Sequence, residues 1–378
     1  MNSVHLEQLK LTDFRNYSSA NIKIDPAHVV LTGDNGAGKT NVLEAVSFLS
    51  PGRGMRRAAY DKVGKSNTKG AWSVFARLNG PEGEVSIGTG LLETAHGIES
   101  QRRVHINGAL SKTSEALLDH ARVLWLTPSM DGLFTGPASD RRRFLDRMVL
   151  AVDPQHGRRA NDFEKTMRSR NKLLADDMPD YTWLDATEAQ LAELGVAVAS
   201  ARHELMTLLS EVIVKNNDPG SPFPDALVSL SGSLESEIGE FSASELEIEY
   251  QQRLKANRNI DARAGRTLEG PHRSDLIVHH RPKSMPAGQC STGEQKALLI
   301  GLLLAHAKLV GEVSGISPIL LLDEIAAHLD EGRRAALYDM IDALGCQAWM
   351  TGTDQDLFKT LGNRANFLSV EDGAIRKV

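Results

Sequence analysis

The segment Gly33-Asp34-Asn35-Gly36-Ala37-Gly38-Lys39-Thr40 constrains the fold of this chain more than any other stretch. It fits G-x-x-x-x-G-K-[ST] at every fixed position, a pattern that belongs to a loop joining a strand to a helix. The flanks agree. His28 to Leu31 is an apolar, strand-like run leading straight into Gly33, and Val42, Leu43, Val46 and Leu49 recur after it at helical spacing. In such a loop successive backbone N–H groups converge on phosphate oxygens at a helix N-terminus, and glycines permit the close approach. Lys39 is expected to hold the β- and γ-phosphates and the Thr40 hydroxyl to ligate magnesium.

Two distant segments complete the chemistry. Pro318-Ile319-Leu320-Leu321-Leu322-Asp323-Glu324 reads as a buried parallel strand ending in two acids. Ligands in open α/β sheets bind at the carboxyl ends of strands. Asp323 fits an outer-sphere magnesium role, and Glu324 fits the base that polarises water for attack on the γ-phosphate. Two acids in this position also serve simply to favour a helix dipole. Ser291-Thr292-Gly293-Glu294-Gln295 opens an amphipathic helix carrying Ala297, Leu298, Ile300, Leu303 and Leu304. Ser291 with Glu294 is also a capping box, and a capped N-terminus presenting a hydroxyl suits a γ-phosphate. Ser-x-Gly-x-Gln is moreover the mark of ATPases that close two heads over ATP.

Strand-like alternation at Val4 to Leu11, Trp72 to Leu78, Val85 to Leu91 and Arg102 to Ile106 predicts antiparallel hairpins, with Asn107-Gly108 as a tight turn. From about Asp140 to Asn259 the chain reads as helical. Leu184, Leu191, Val198, Leu205 and Val212 fall at intervals of seven, either as a packing seam or as one face of a long amphipathic helix. Asn216 to Pro224 breaks that helix, and a sheet-like stretch follows at Asp275 to His279. No run approaches 18 uninterrupted apolar residues, and the N-terminal residues lack a secretion-signal pattern, so no membrane association is expected. The two cysteines, Cys290 and Cys346, suit a reducing cytoplasm and a packing role. A net charge of −6 gives no global attraction to nucleic acid, so any DNA surface is local.

With phosphate loop, signature, Asp-Glu strand and Ala327-His328-Leu329-Asp330 in that order, the chain resembles ABC-type ATPase heads. Leu9 to Tyr17, Gly136 to Asp146 and Gly270 to Leu276 narrow the resemblance to the RecF family of bacterial DNA-repair proteins, relatives of the structural-maintenance-of-chromosomes (SMC) ATPases. The resemblance covers essentially the whole chain. It implies an α/β fold, an ABC-type head with a mixed sheet around the phosphate-loop core and an antiparallel β subdomain, plus an inserted helical arm. The head is expected at 1–140 and 262–378, the arm at 141–261. The resemblance further implies an ATP- and Mg2+-dependent homodimer in which Ser291 and Gly293 act in trans, with Gln295 part of the same signature. Asp330 would contact the opposing subunit, and Arg15 and Asn16 would lie beside the nucleotide. Implied partners are DNA at single-strand/double-strand junctions or gaps, a RecR-type mediator and RecA recombinase, with weak DNA-dependent ATP hydrolysis.

Departures temper the turnover. Cys290 replaces the leucine that usually precedes the signature, no histidine follows the last core strand at Thr351-Gly352-Thr353, and no Q-loop glutamine stands in Arg122 to Pro128. A slow clamp is the expectation. For DNA, Arg141 to Lys172 holds ten basic residues against four acidic ones, and Arg53, Arg56 and Arg57 form a second candidate patch. Either patch can equally be a solvated helix face, and Arg141 to Arg143 can instead make ion pairs. A transporter's nucleotide-binding subunit would place the signature much closer to Thr40. The head of a chromosome-organising complex is the nearer alternative, although its arms need far more helix.

Overall fold

The computed structural model describes residues 2–94, 97–371 and 373–378. The chain divides into two compact units. The first comprises Met1–Asp131, Asp218–Pro224 and Thr292–Val378, and the second Gly132–Asn217 and Asp225–Ser291. The helical side therefore extends beyond the 141–261 span expected for the arm.

Two six-stranded sheets build the first unit. One is antiparallel, with His5–Phe14 between Tyr17–Lys23 and Trp72–Gly80, followed by Gly83–Leu91, Arg103–Ile106 and Ala109–Leu110. Asn107 and Gly108, at φ 51° and 79°, make the tight turn between its last two strands. The other sheet runs Val123–Leu126, Ile319–Leu322, Ala348–Gly352, His28–Thr32 and Ala365–Glu371 in parallel, with Ala374–Lys377 antiparallel at the edge. Buried on both faces, Ile319–Leu322 and Ala348–Gly352 are apolar throughout or nearly so, as central parallel strands must be. The buried Gln347 side chain pins the sheets together, accepting from Leu6 N at 2.9 Å and donating to Ala27 O at 2.9 Å. Phe14, Phe48 and Trp72 pack between the first hairpin and the phosphate-loop helix, with ring centroids 4.9–6.0 Å apart.

The helix Thr292–Ser314 is not amphipathic as expected from sequence. It is buried on most of its faces, because it packs inside the first unit rather than on its surface. Among the described residues it alone is long and apolar enough to cross a membrane, a property it shares with the core helices of folded domains.

The second unit holds helices Ala138–Val152, His156–Leu174, Tyr181–Lys215, Ala243–Ala256 and Arg258–Ala264. The heptad residues Leu184, Leu191, Val198, Leu205 and Val212 are all buried. Their helix packs against both His156–Leu174 and Ala243–Ala256 around Phe163, Leu246, Tyr250 and Leu254, so the repeat serves a globular core. Ala226–Ser231 is a strand, antiparallel to Asp275–His280, within the stretch read as helical. Its pairing partner lies more than forty residues downstream, and six residues are too few for periodicity alone to identify.

Candidate nucleotide site

Parallel register brings the strand ends together. Gly352 pairs with Thr32 and Met350 with Leu322, so Gly33, Thr351 and Asp323 emerge at one edge of the sheet. The loop conformation then requires glycine at two positions. A Cβ at Gly33 (φ 141°) would sit 2.2 Å from Val370 O, and one at Gly38 (φ 119°) 2.5 Å from Asn16 Nδ2 and 2.7 Å from Tyr17 Oη. Asp34, Asn35 and Gly36 are exposed, and Ala37 is half-buried. The helix Lys39–Ser47 begins at Gly38 with no side-chain cap and no acidic residue in its first turn. Its N–H groups and dipole are thus left for an external anion.

Lys39 is 4% exposed and donates to Gly33 O at 2.6 Å and Asp34 O at 2.9 Å, which holds its ammonium over the loop. Thr40 Oγ1 donates to Asp323 Oδ1 at 2.9 Å, joining residues 283 apart in sequence. Thr351 Oγ1 donates to the same oxygen at 2.8 Å and accepts from Glu324 N at 2.8 Å. Glu324 is half-exposed beside the buried Asp323. A hydroxyl against a carboxylate at the mouth of a phosphate loop is a donor set that fits magnesium, a hard cation taking oxygen ligands. The uncapped helix and glycine-lined loop fit a nucleotide's phosphates.

The first hairpin supports this loop from the side. Phe14 pairs with Tyr17, so Arg15 and Asn16 form a two-residue turn. Arg15 adopts the left-handed conformation at φ 55°, unusual for a residue with a side chain. Its guanidinium is held by Glu44 through Nε at 2.8 Å and Nη2 at 2.5 Å. Asn16 Nδ2 donates to Ala37 O at 3.0 Å, Asn41 Nδ2 donates to Asn16 Oδ1 at 2.7 Å, and Tyr17 Oη donates to Gly38 O at 3.0 Å. Sequence reasoning nominated Arg15 and Asn16 but missed Glu44, Asn41 and Tyr17. A charged residue on the otherwise apolar inner face of the phosphate-loop helix was the available signal for Glu44.

The signature divides. Ser291 and Gly293 are exposed, and a Cβ at Gly293 would meet open space, whereas Gln295 is only 7% exposed. Asp330 is exposed and caps the helix Glu331–Ala343, accepting from Arg333 N at 2.8 Å. Thr353 is exposed beyond the strand end. Both cysteines are buried, and burial pushes the Cys346 thiol up to about 12.

Part of the expected basic patch is spent on internal pairs. Arg141 grips Asp275 through two bonds of 2.8 Å, Arg142 donates to Ser274 O at 2.7 Å, and Arg143 pairs with Asp140. Arg170 is fully buried between Glu188 and Asp261. Arg159 pairs with Asp153, while Arg158 and Arg168 face Asp162 and Glu164 only across 3.7 and 4.0 Å and stay exposed, as do Lys165 and Lys172. Some of these acids lie one helical turn away, whereas Asp275, Glu188 and Asp261 are brought in only by the tertiary fold. The arginine-rich segment and the Gly270–Leu276 segment thus clasp each other through Arg141–Asp275. Of the second patch, Arg56 donates to Asn41 Oδ1 at 2.6 Å and lies 3.4 Å from Glu44, while Arg53 is exposed.

A phosphate loop, an Asp-Glu strand and a signature helix on this two-sheet scaffold define an ABC-type ATPase head. A family model described as RecF/RecN/SMC N terminal domain matches residues 5–376. The DNA replication and repair protein RecF of Rhizobium leguminosarum bv. trifolii is 60% identical over 372 residues, 98% of either chain. That of Mesorhizobium japonicum is 57% identical over 371 residues, 98% of this chain and 97% of that one. The chain belongs to the RecF family of DNA replication and repair proteins. In fold it is similar to a solved structure described as the recombination mediator protein RecF-ATPrS in the RecFOR pathway, with TM-score 0.85, 22% identity and coverage of 99% and 98%. An SMC head from Pyrococcus furiosus shares the fold at TM-score 0.53 and 16% identity, covering 99% of this chain and 96% of that one.

Proposed function

We propose that the chain is an ATP-binding, slowly hydrolysing clamp that dimerises on DNA gaps and recruits a RecR-type mediator and RecA recombinase. The observation that carries the reading is the convergence of Thr40, Asp323 and Glu324 at the mouth of the glycine-lined loop. Lys39 and the helix N-terminus bind the phosphates, Thr40 and Asp323 hold magnesium, and Arg15 and Asn16 steady the loop. Magnesium held there would neutralise phosphate charge. Glu324 accepts a proton from water positioned for in-line attack. The exposed Ser291 and Gly293 complete the partner's site, which makes closure ATP-dependent. Slow turnover follows from the absence of the histidine and Q-loop glutamine, so binding outlasts chemistry and hydrolysis resets the clamp. The names of the relatives, which place them in DNA replication and repair and in the RecFOR pathway, support the DNA and mediator partners.

Sedimentation of the full chain with and without ATP, repeated with gapped and fully duplex DNA, tests this. A dimer that requires ATP and prefers gapped DNA is expected. A monomer under every condition overturns it.

A further inference from the structure

We infer that Thr351 is a positioning residue that sets the orientation of Glu324 for water activation, an inference that rests on the proposed role of Glu324 as base. Thr351 lies near the end of the strand Ala348–Gly352 and is 1% exposed. Its hydroxyl makes two bonds of opposite sense, donating to Asp323 Oδ1 at 2.8 Å and accepting from the Glu324 backbone N–H at 2.8 Å. The same Asp323 oxygen accepts from Thr40 Oγ1 at 2.9 Å. One hydroxyl therefore ties the backbone of Glu324 to the carboxylate that faces the phosphate-loop threonine.

Glu324 needs such a tie. Its φ is +55°, in the left-handed region that residues with a Cβ adopt only when their surroundings impose it. The backbone preference alone would return residue 324 to an ordinary conformation and swing its carboxylate away from the sheet edge. The bond from Glu324 N to Thr351 Oγ1 opposes that return, and the bond to Asp323 fixes the hydroxyl rotor so that its lone pair faces the N–H. A residue at 351 must both donate to a carboxylate and accept from an amide. Serine does both, valine neither, and cysteine does both weakly. Phosphate binding is not routed through Thr351. Lys39 makes its loop bonds without it, and only Asp323, on the magnesium side of the site, is shared with Thr351.

The experiment is steady-state ATP hydrolysis by the full chain in the presence of DNA, for Thr351→Val, Thr351→Ser and Glu324→Gln beside wild type. Thr351→Val should lower kcat by about tenfold to a hundredfold, the penalty expected for misplacing a reacting group by about 1 Å, with a much smaller change in KM. Thr351→Ser should recover most of the lost kcat, which a merely packing role for the side chain would not produce. Should the valine variant fail to unfold cooperatively, Thr351→Cys, of similar size, carries the same prediction. Wild-type kcat in Thr351→Val, a rise in KM with kcat intact, or a folded Thr351→Ser as slow as valine each overturns the inference. If Glu324→Gln collapses kcat while Thr351→Val does not, the positioning role alone fails. If Glu324→Gln keeps wild-type kcat, the base assignment fails and takes this inference with it.

Discussion

Replacing Glu44 with alanine asks whether charge holds the first hairpin against the phosphate-loop helix. The Glu44 side chain is wholly buried, and it accepts from Arg15 at 2.8 and 2.5 Å and lies 3.4 Å from Arg56. Arg15 is only 19% exposed, so truncation leaves a mostly buried guanidinium without its counter-charge. Breaking a buried pair in this way costs about 3–5 kcal/mol. Arg15 Nη1 keeps its bond to Lys62 O at 2.7 Å. Partial exposure and that bond favour the lower end, about 3 kcal/mol. For a unit of this size the loss lowers the melting midpoint by roughly 6–12 °C. Release of Arg15 also lets the turn at φ 55° relax, drawing Asn16 from Ala37 O, so calorimetric ATP affinity falls as well. A double variant, Arg15→Met with Glu44→Leu, should melt above Glu44→Ala, because no buried unpaired ion remains and the more exposed Arg56 keeps its bond to Asn41. An unchanged midpoint in Glu44→Ala, or a double variant whose loss is the sum of the two singles, would refute the reasoning.

Glu324→Gln should bind ATP normally yet accumulate dimer, because the phosphate and magnesium contacts persist while water activation is lost; light scattering after dilution into ATP-free buffer reads the dimer's lifetime. Ser291→Arg should leave ATP affinity near normal and abolish ATP-dependent dimerisation, through bulk and misplaced charge on an exposed surface; equal loss of binding would show that the signature acts within its own chain. In the helical unit, burial pushes the Asp146 carboxyl up, but the Arg202 guanidinium and the His156 hydrogen bond outweigh it and hold the group at about 2, below its ordinary 3.8. A lowered carboxylate pKa stabilises the fold fully above the unfolded value and less as pH falls through the folded one. This stabilisation, about 2 kcal/mol, should therefore drain between roughly pH 4 and pH 2. Asp146→Asn should be less stable at neutral pH and show a flatter acid limb in chemical denaturation.

Local patterns announced the strand–loop–helix, the apolar Asp-Glu strand, the tight Asn107-Gly108 turn and the long heptad helix, because each carries its signal in adjacent residues as an apolar run, a motif, a turn dipeptide or a periodicity. The strand Ala226–Ser231 escaped notice because its hydrogen bonds go to Asp275–His280. The signature helix looked amphipathic, whereas packing in the first unit covers most of its faces, including the buried Gln295. The arginine-rich segment looked like a phosphate-binding stripe, and its carboxylate partners proved to include residues as distant as Asp261 and Asp275.

The sequence by itself determined the kind of site, since a phosphate loop works through backbone N–H groups that a short run of glycines, Lys39 and Thr40 specifies locally. It also determined the family, through segments spread over the whole chain. Only the tertiary structure decided which side chains hold that site in place. Glu44 under Arg15, Tyr17 on Gly38, and Thr351 between Asp323 and Glu324 depend on parallel register and on a hairpin folded back across the loop. Those contacts join residues up to 29 positions apart, and the Thr40–Asp323 bond joins residues 283 apart. Hydrogen bonds of this reach leave no periodicity in the chain, because their geometry comes from the sheet and not from the neighbours in sequence.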